Sequence, residues 1–332
     1  MLASFVSVAL SALADPPFFD TAGRLQRGVT PNNDANKYFT AVHDGKSLVE
    51  RGDAEGEWKP ALLSASEAAK ASGLNVFLGS VSEDSSLAPG DYWLLELSEQ
   101  DEPPNIGGEH ACWQPLRARA GPSVCDALEN DEAALLATAR GMAHWHTSVK
   151  FCASCGSDAV EPYRNGKGRR CANCGTRFRP RLDASVIVLV TDPSGEKCLL
   201  GRKKEWPAGR YSTLAGFLEF GETLEECVSR EINEEAGVDV NRNSIEFVAS
   251  QPWLFPRSMM VGFTCKVAEG ATDLVVDHDE LEDAQWFDKA YVREQMAMER
   301  EAGKDGPAVE GGFHVPSKVS LARVLVENWL EK

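Results

Sequence analysis

Five charged side chains between positions 222 and 235 are the residues of this sequence best suited to chemistry. They lie in a segment from Gly216 to Val238 that reads Gly-x5-Glu-x7-Arg-Glu-Ile-Asn-Glu-Glu-Ala-Gly-Val. The charged members are Glu222, Arg230, Glu231, Glu234 and Glu235. Carboxylate oxygens are hard ligands that suit Mg²⁺ or Mn²⁺. Such ions neutralise phosphate oxygens and lower the pKa of a bound water, so the segment predicts metal-dependent cleavage of a diphosphate.

A helix must bring these acids together. Thr223 is a good N-cap residue and Glu226 completes a capping box with it. Gly237 suits the left-handed turn that ends a helix, so the sequence predicts a helix over roughly 224–236. At 100° per residue one face carries apolar and acidic residues together. These are Leu224, Cys227, Val228, Ile232, Glu231, Glu234 and Glu235. Unpaired carboxylates on an apolar face are costly, which favours bound cations over the alternative of an ordinary solvated helix surface.

The segment resembles the Nudix box. The resemblance implies that Glu231 and Glu235 are the main metal ligands, and that Glu234 is a further ligand or orients the attacking water. It also implies a catalytic role for Arg230, which would pair with a box carboxylate and stiffen the array, while Glu222 supports the loop or adds a ligand. The fold implied is an α/β Nudix fold, a mixed sheet sandwiched between helices.

Two positions outside the predicted helix complete the metal site that the resemblance implies. Glu280, in Asp-Glu-Leu-Glu-Asp-Ala-Gln-Trp-Phe, resembles a family element that ends in Trp-Phe and is the candidate further ligand or general base. The alternative is that Glu280 is one acid among several in an acidic loop, without a role at the metal. Ala215, immediately before the box glycine, matches a position that lines the site in the family.

A second motif indicates the substrate. Residues 250–258 read Ser-Gln-Pro-Trp-Leu-Phe-Pro-Arg-Ser and resemble the SQPWPFPxS signature of NADH pyrophosphatases, with Leu254 as the departure. Flat aromatic faces can stack on a nicotinamide or adenine ring; a packed turn with aromatic anchors is the alternative. The substrate-binding residues implied are Gln251, Pro252, Trp253, Phe255, Pro256 and Ser258, together with Phe217, Arg179 and Ala322.

The resemblance implies hydrolysis of NADH, and less efficiently of NAD⁺, to a nicotinamide mononucleotide and AMP. Three alternatives stay open. One is removal of NAD caps from RNA by the same chemistry. Another is a non-catalytic nucleotide sensor, and a third is hydrolysis of ADP-ribose or another nucleotide.

Four cysteines predict a structural zinc site. Two Cys-x2-Cys pairs are separated by fifteen residues, a spacing that places four thiolates around one Zn²⁺. They are Cys152, Cys155, Cys171 and Cys174. A redox pair is the alternative. This module is locally basic and could contact phosphates of the substrate or of RNA, with ordinary surface charge as the alternative. Its cations are Arg164, Lys167, Arg169, Arg170, Arg177, Arg179 and Arg181.

Composition bounds the remaining possibilities. The 332 residues carry a net charge of −17, which argues against bulk attraction to nucleic acid or anionic membrane. We predict an N-terminal NADH-pyrophosphatase-like domain with β-strands over 1–147, a zinc ribbon over 148–180 and a Nudix domain over 181–332. Strands are expected near 37–42, 74–78 and 92–97, a helix over 126–149, and a mobile loop over 296–312.

The sequence also allows predictions of the cellular compartment and the oligomeric state of the protein. Residues 2–14 are apolar but have no basic segment before them, so secretion is not expected. Five cysteines outside the ribbon show no disulfide spacing, which favours a reducing compartment. We expect a cytoplasmic or peroxisomal protein that does not bind membranes, although the chain has no Ser-Lys-Leu ending. The resemblance implies a homodimer.

Overall fold

The structure is a computed structural model of the 332-residue chain. It describes residues 25–26, 29–32, 35–52, 57–81, 85–97, 102, 104–116, 124, 127–254, 257–301, 312–317 and 319–332. The chain divides into two compact units: the described residues within 20–182 and 253–257 form one, and those within 183–252 and 258–332 form the other. The apolar segment 2–14 lies outside the described residues.

The first unit is built on an eight-stranded sheet. Its strands are β1 (Leu25–Gln26), β2 (Lys37–His43), β3 (Lys46–Arg51), β4 (Trp58–Pro60), β5 (Leu63–Ser64), β6 (Leu74–Val81), β7 (Gly90–Glu96) and β8 (Ala111–Gln114). Six follow the order β1-β6-β7-β2-β3-β4, while β5 pairs with β2 and β8 with β3. The helices are α1 (Ala65–Ala68) and α2 (Asn130–Ser148). Leu135 and Ala139 of α2 pack on Tyr92 and Leu94 of β7. The three strands and the helix predicted for this region are confirmed.

A small antiparallel sheet completes this unit. Its strands are β9 (Val160–Tyr163), β10 (Gly168–Cys171) and β11 (Arg177–Phe178), in the order β11-β10-β9. Alternate residues of a strand point to opposite faces. Val160, Cys171 and Phe178 therefore pack together on one face, in a small core with Cys152.

The second unit contains a six-stranded mixed sheet. Its strands are β12 (Asp183–Thr191), β13 (Lys197–Arg202), β14 (Leu214–Phe217), β15 (Glu246–Trp253), β16 (Ser258–Lys266) and β17 (Asp283–Asp288). The order is β15-β16-β12-β13-β17, with β14 also paired to β12. β12 runs parallel to β16 and antiparallel to β13 and β14. The helices are α3 (Leu224–Ala236), α4 (Lys289–Glu301) and α5 (Leu321–Glu331), and Arg242–Ser244 form a 3-10 turn.

Both faces of this mixed sheet are covered by helices, as the sequence predicted. On one face Val186 and Val188 of β12 share a core with Val228 and Ile232 of α3. On the other, Ile187 of β12 belongs to a core with residues of α4 and α5. The alternation of apolar side chains along one buried strand thus holds helices on both sides.

The prediction of a mobile loop over 296–312 is wrong for its first six residues. Residues 296–301 belong to α4, in which Val292 and Met296, four residues apart, are both buried in the core shared with α5. The other side chains of this helix are mostly polar, which concealed its narrow apolar stripe. Residues 302–311 lie outside the described residues.

Strand β15 includes the first residues of the second motif. It continues to Trp253, so the segment Ser250–Trp253 is strand. Pro252 is tolerated there because β15 lies at the edge of the sheet. None of the helices in the described parts of the chain is long and apolar enough to cross a membrane.

Candidate active site

Helix α3 begins and ends where the sequence predicts. The Thr223 hydroxyl accepts a hydrogen bond from the Glu226 N–H (3.2 Å), and the Glu226 carboxylate accepts one from the Thr223 N–H (2.9 Å). Gly237 ends the helix in the left-handed region, at φ 72°. The capping box and the glycine therefore fix the rotation of α3 and with it the direction of the acids.

Of the three acids predicted to lie on the apolar face of this helix, two are buried. Glu231 is 8% exposed and Glu235 only 2%. Glu234 is exposed, so the prediction that it shares the apolar face is wrong. It lies about 100° around the helix from Glu235 and its carboxylate accepts a hydrogen bond from Arg230 at 2.8 Å.

The carboxylate of Glu235 carries the clearest sign of a missing partner. Its Oε2 atom is buried and accepts no hydrogen bond. Burial raises the pKa of Glu235 to about 8; Lys203 acts against this rise, and the charges of Glu231 and Glu280 add to it. An acid so enclosed, close to two others, requires a cation or a proton.

Gly216 leaves the room that Glu231 occupies. A β-carbon at position 216 would lie 1.8 to 2.1 Å from the carboxylate atoms of Glu231. Burial raises the pKa of Glu231, Arg230 lowers it, and Glu234 and Glu280 raise it further. The glycine of the box is therefore a steric requirement for placing this acid against strand β14.

Arg230 uses its guanidinium to join the box loop to the helix. Nε and an Nη bind the two oxygens of Glu222 at 2.6 and 2.8 Å, and the same Nη donates to the Phe217 carbonyl at 2.9 Å. The other Nη donates to Glu231 at 2.9 Å and to Glu234. The hydrogen bond from Arg230 lowers the pKa of Glu222 to about 2. Arg230 thus pairs with three carboxylates of the box, and its catalytic role stays a prediction.

The arrangement fits a divalent cation on one observation. Glu235 has an unpartnered buried oxygen, in a position where burial and the negative charges of Glu231 and Glu280 raise its pKa. Oxygen donors of this kind suit Mg²⁺ or Mn²⁺. The carboxylate oxygens of these acids do not all lie close together. Among the described residues, only the four ribbon cysteines have metal-ligand atoms that all lie within 4.8 Å of one another.

A Gly216→Ala substitution is expected to displace the Glu231 carboxylate, because the added methyl group and that carboxylate cannot occupy the same space. Overpacking of this kind costs about 1–3 kcal/mol, so we expect a lower free energy of unfolding and nearly complete loss of metal-dependent activity. Urea unfolding and turnover measurements check this. Gly195→Ala is the matched control, because a β-carbon there meets no atom within 4 Å, although its φ of 83° also strains alanine. Equal effects of both substitutions would contradict the steric argument.

Lys203 is the site residue that the sequence reasoning missed. It is half-buried just after β13, and its charge is the largest influence opposing the raised pKa of Glu235. The available signal was a run of three cations, Arg202 to Lys204, at the end of a buried strand.

The predicted substrate-binding residues differ in their exposure to solvent. Phe217 is exposed beside the box, as stacking on a base requires. Gln251 is buried, and its amide donates to the Val319 carbonyl (2.8 Å) and accepts from the Leu321 N–H (2.9 Å), which fixes the first turn of α5. Ala322 lies buried in that turn. Gln251 thus has structural partners that the sequence did not reveal.

The remaining members of the second motif are less informative. Pro252 and Trp253 end β15 half-buried, and Ser258 begins β16 buried. Trp253 groups with the first compact unit. Phe255 and Pro256 lie outside the described residues.

The four ribbon cysteines form a closed metal-type site. Cys152 and Cys174 Sγ are 3.5 Å apart, and Cys155 and Cys171 Sγ are 3.7 Å apart. Each pair is followed by a glycine in the left-handed region, Gly156 at φ 71° and Gly175 at φ 77°. The N–H of each glycine donates to the carbonyl of the first cysteine of its pair, at 2.8 and 2.9 Å.

The thiolate chemistry of this site also suits a metal. Hydrogen bonds from Thr176 lower the pKa of Cys174 to about 6, and thiolates rather than thiols bind metals. Asn173 donates to Cys155 Sγ at 3.6 Å. Four soft donors within tetrahedral reach fit Zn²⁺.

Arg179, the ribbon residue predicted to bind substrate, is exposed just after β11. Its neighbour Phe178 packs half-buried against the ribbon core with Cys171 and Val160. His146 is buried on α2 with its Nε2 2.8 Å from the Gly166 carbonyl.

Comparison with known proteins places this architecture in a family. The model of the NUDIX domain matches residues 181–304, and the model of the NADH pyrophosphatase-like rudimentary NUDIX domain matches residues 36–145. The chain is 36% identical over 239 residues to "NAD-capped RNA hydrolase NudC" of Stutzerimonas stutzeri, covering 71% of this chain and 73% of the relative. The segment that matches the NUDIX model contains the mixed sheet between helices and the paired acids of the capped helix. The chain belongs to the Nudix family.

Other relatives are longer than this chain. It is 39% identical over 212 residues to "NAD-capped RNA hydrolase NUDT12" of Homo sapiens, covering 61% of this chain and 43% of that protein. It is 36% identical over 215 residues to "Nudix hydrolase 19, chloroplastic" of Arabidopsis thaliana, covering 62% and 48%. The chain therefore spans about half the length of these relatives.

Proposed function

We propose that this protein is a metal-dependent dinucleotide diphosphatase that hydrolyses NADH, and less efficiently NAD⁺, to a nicotinamide mononucleotide and AMP. The observation that supports it most is the buried, unpartnered Oε2 of Glu235, a residue whose pKa is raised by burial and by the charges of Glu231 and Glu280. The family membership of the chain and the names of its relatives support the nicotinamide dinucleotide as the substrate class.

Each acid has a proposed part in the reaction. Glu231 and Glu235 hold Mg²⁺ or Mn²⁺, and Glu280 and the backbone at Ala215 complete the set of donors. When bound, the metal neutralises phosphate oxygens and makes a coordinated water more acidic. Glu280, exposed at the edge of the site, accepts the proton of the attacking water, and Glu234 orients that water. The water oxygen bonds to one phosphorus while the bridging P–O bond breaks and its oxygen leaves with the other phosphate.

Arg230 is proposed to act by positioning these acids. Its hydrogen bonds to Glu222, Glu231 and Glu234 hold the box loop against the helix. Phe217, exposed next to the acids, offers a ring on which a base of the dinucleotide can stack. Of the other substrate residues proposed, Trp253 ends β15, Ser258 begins β16, and Arg179 offers a cation.

A substrate panel tests the proposal. NADH, NAD⁺, ADP-ribose and a nucleoside triphosphate are incubated with enzyme and Mg²⁺ or Mn²⁺, and products are separated by chromatography. We expect NADH to give the highest kcat/KM, with AMP as one product. A higher kcat/KM for ADP-ribose would overturn the choice of substrate, and NADH bound but uncleaved in the presence of metal would support a sensor instead.

Removal of NAD caps from RNA is the second candidate. It uses the same bond, and two relatives carry this activity in their names. The basic ribbon favours it, whereas the net charge of −17 for the whole chain does not. Comparing kcat/KM for free NADH with that for NAD-capped RNA decides between them. Zinc in the ribbon, a homodimer and a cytoplasmic or peroxisomal location stay predictions.

A further inference from the structure

A cavity of about 660 Å³ lies in the first unit, between helix α2, the turn that joins β2 to β3, and the ribbon. Small-molecule sites in proteins enclose roughly 300–1,000 Å³, so this cavity is large enough for a ligand of the size of a nucleotide. The box acids belong to the other unit, and the proposed reaction uses none of the residues that line the cavity.

The lining of this cavity carries more positive than negative charge. Its charged side chains are three cations, Arg140, Lys150 and Arg169, and two carboxylates, Asp44 and Asp158. The whole chain, by contrast, has a net charge of −17. A positive lining within an acidic protein attracts an anionic ligand.

A fourth cation acts on the same cavity. His144 of α2 is a lining residue. Burial lowers the pKa of His144, and the positive charges of Arg140 and Arg257 lower it further. Arg257 belongs to the same compact unit as α2. Two cations therefore act on one imidazole of the lining, which indicates a positive potential in this part of the cavity.

Gly45 leaves the room in which the guanidinium of Arg140 lies. The Nε of Arg140 donates to the Gly45 carbonyl at 2.8 Å, and a β-carbon at position 45 would lie 2.8 Å from an Nη of Arg140. Burial lowers the pKa of Arg140 and the charge of Asp44 raises it, but no carboxylate in the described parts of the chain forms an ion pair with Arg140. The turn thus holds the guanidinium through one N–H and leaves its other donors for a ligand.

Neutral groups hold the guanidinium of Arg169 at the cavity. It donates to the carbonyls of Val160 and His146, the latter at 3.1 Å, and an Nη lies 3.4 Å from Nδ1 of His146. Burial lowers the pKa of His146 to about 4, so this imidazole is neutral at pH 7. Its Nε2 donates to the Gly166 carbonyl at 2.8 Å. These contacts fix the position of Arg169 without cancelling its charge.

The cavity also presents an open aromatic ring. Phe151 is a lining residue and is 64% exposed. A phenyl ring in water forgoes the free energy that burial would supply, and flat aromatic faces stack on nucleotide bases. Its neighbour in sequence, Lys150, is exposed as well. An open ring and fixed cations are thus combined in one cavity, and these are the features that bind a base and a phosphate.

We propose that this cavity binds a nucleoside monophosphate, with the phosphate at Arg140 and Arg169 and the base against Phe151. Guanidiniums form paired hydrogen bonds with phosphate oxygens. An inorganic anion would not need the ring, and an apolar ligand would not need the cations. The proposed reaction would release ligands of this class, but the inference does not rest on that reaction.

Calorimetric titration of the full chain with AMP tests the site. The buffer contains neither divalent cation nor chelator, so the ribbon keeps its metal and the box acids lack theirs. We expect one AMP to bind per chain. Adenosine lacks the phosphate and inorganic phosphate lacks the base. Each should bind about tenfold more weakly than AMP, because charge-assisted hydrogen bonds and base stacking each contribute a factor of about ten.

Two variants separate the phosphate contact from the base contact. Arg140→Ala should weaken the binding of AMP and of inorganic phosphate alike, by about tenfold. Phe151→Ala, at an exposed position, should weaken AMP binding by about tenfold and leave the Kd of inorganic phosphate within about twofold. Lys70→Ala removes an exposed cation of the same unit outside the cavity and should change neither Kd. Thermal unfolding of each variant reports whether the unit is intact.

Binding of AMP beside the box acids is the competing result. Phe217→Ala removes the exposed ring of that site and should leave the Kd of AMP unchanged. The proposal is overturned if AMP does not bind, if Arg140→Ala and Phe151→Ala bind it as the unaltered protein does, or if only Phe217→Ala loses it. Hydrolysis of NADH is assayed separately. If NADH is not cleaved while AMP binding depends on Arg140 and Phe151, the proposed reaction fails and the cavity site stands.

Discussion

A Glu235→Gln enzyme is expected to lose about a thousandfold in kcat for NADH hydrolysis while keeping its fold. The substitution preserves shape but removes the charge with which Oε2 would hold a cation. Because that oxygen is buried without a partner, the metal-free variant should unfold at the same temperature as the unaltered protein or higher; a buried unsatisfied group costs about 1–3 kcal/mol. Turnover and thermal melts measure the two effects.

A metal titration gives a readout independent of activity. Saturating Mn²⁺ at about a hundred times Kd should stabilise the unaltered protein by about 2.7 kcal/mol, and most of this gain should be missing in Glu235→Gln. Glu225→Gln is the matched control, since Glu225 lies on the same helix and is exposed. Full turnover in Glu235→Gln, or an equal metal-induced stabilisation of both variants, would refute the role assigned to this acid.

Helix α3 could be predicted to the residue because its signals are local. Thr223, Glu226 and Gly237 determine its ends through bonds that span a single turn. The two Cys-x2-Cys pairs were predictable for a similar reason: each closes its own loop, and the glycine that follows each pair has the left-handed backbone the loop needs. Such features depend little on the rest of the chain.

Other features depended on partners distant in sequence. Glu234 was placed on the apolar face by periodicity, but its position at the margin of that face and the hydrogen bond from Arg230 leave it exposed. The buried partners of Gln251 come from residues about seventy positions away. Lys203 comes near Glu235 only once strands β12 to β14 are assembled. Periodicity predicts the direction in which a side chain leaves its helix. It does not predict which residues of neighbouring strands and helices will contact that side chain.

Loss of metal from the ribbon should have the second large effect, on stability. The purified protein is expected to contain about one Zn²⁺ per chain, measured by elemental analysis, and Cys171→Ser should abolish it. Cys171 is fully buried within the ribbon core. Zinc in small cysteine sites contributes on the order of 10 kcal/mol to folding, which is comparable to the whole stability of a domain.

Loss of zinc should also destabilise the parts of the first unit that contact the ribbon. The Asn165 carbonyl accepts from Phe77 of β6, and the Gly166 carbonyl lies 2.8 Å from Nε2 of His146 on α2. Unfolding of the ribbon removes both contacts, so we expect lower thermal stability and faster amide exchange at Phe77 in Cys171→Ser. Cys112→Ser, a half-buried cysteine of the same unit, should retain zinc and melt within a few degrees of the unaltered protein. Unchanged melting and exchange in a zinc-free Cys171→Ser protein would show that the ribbon folds without metal.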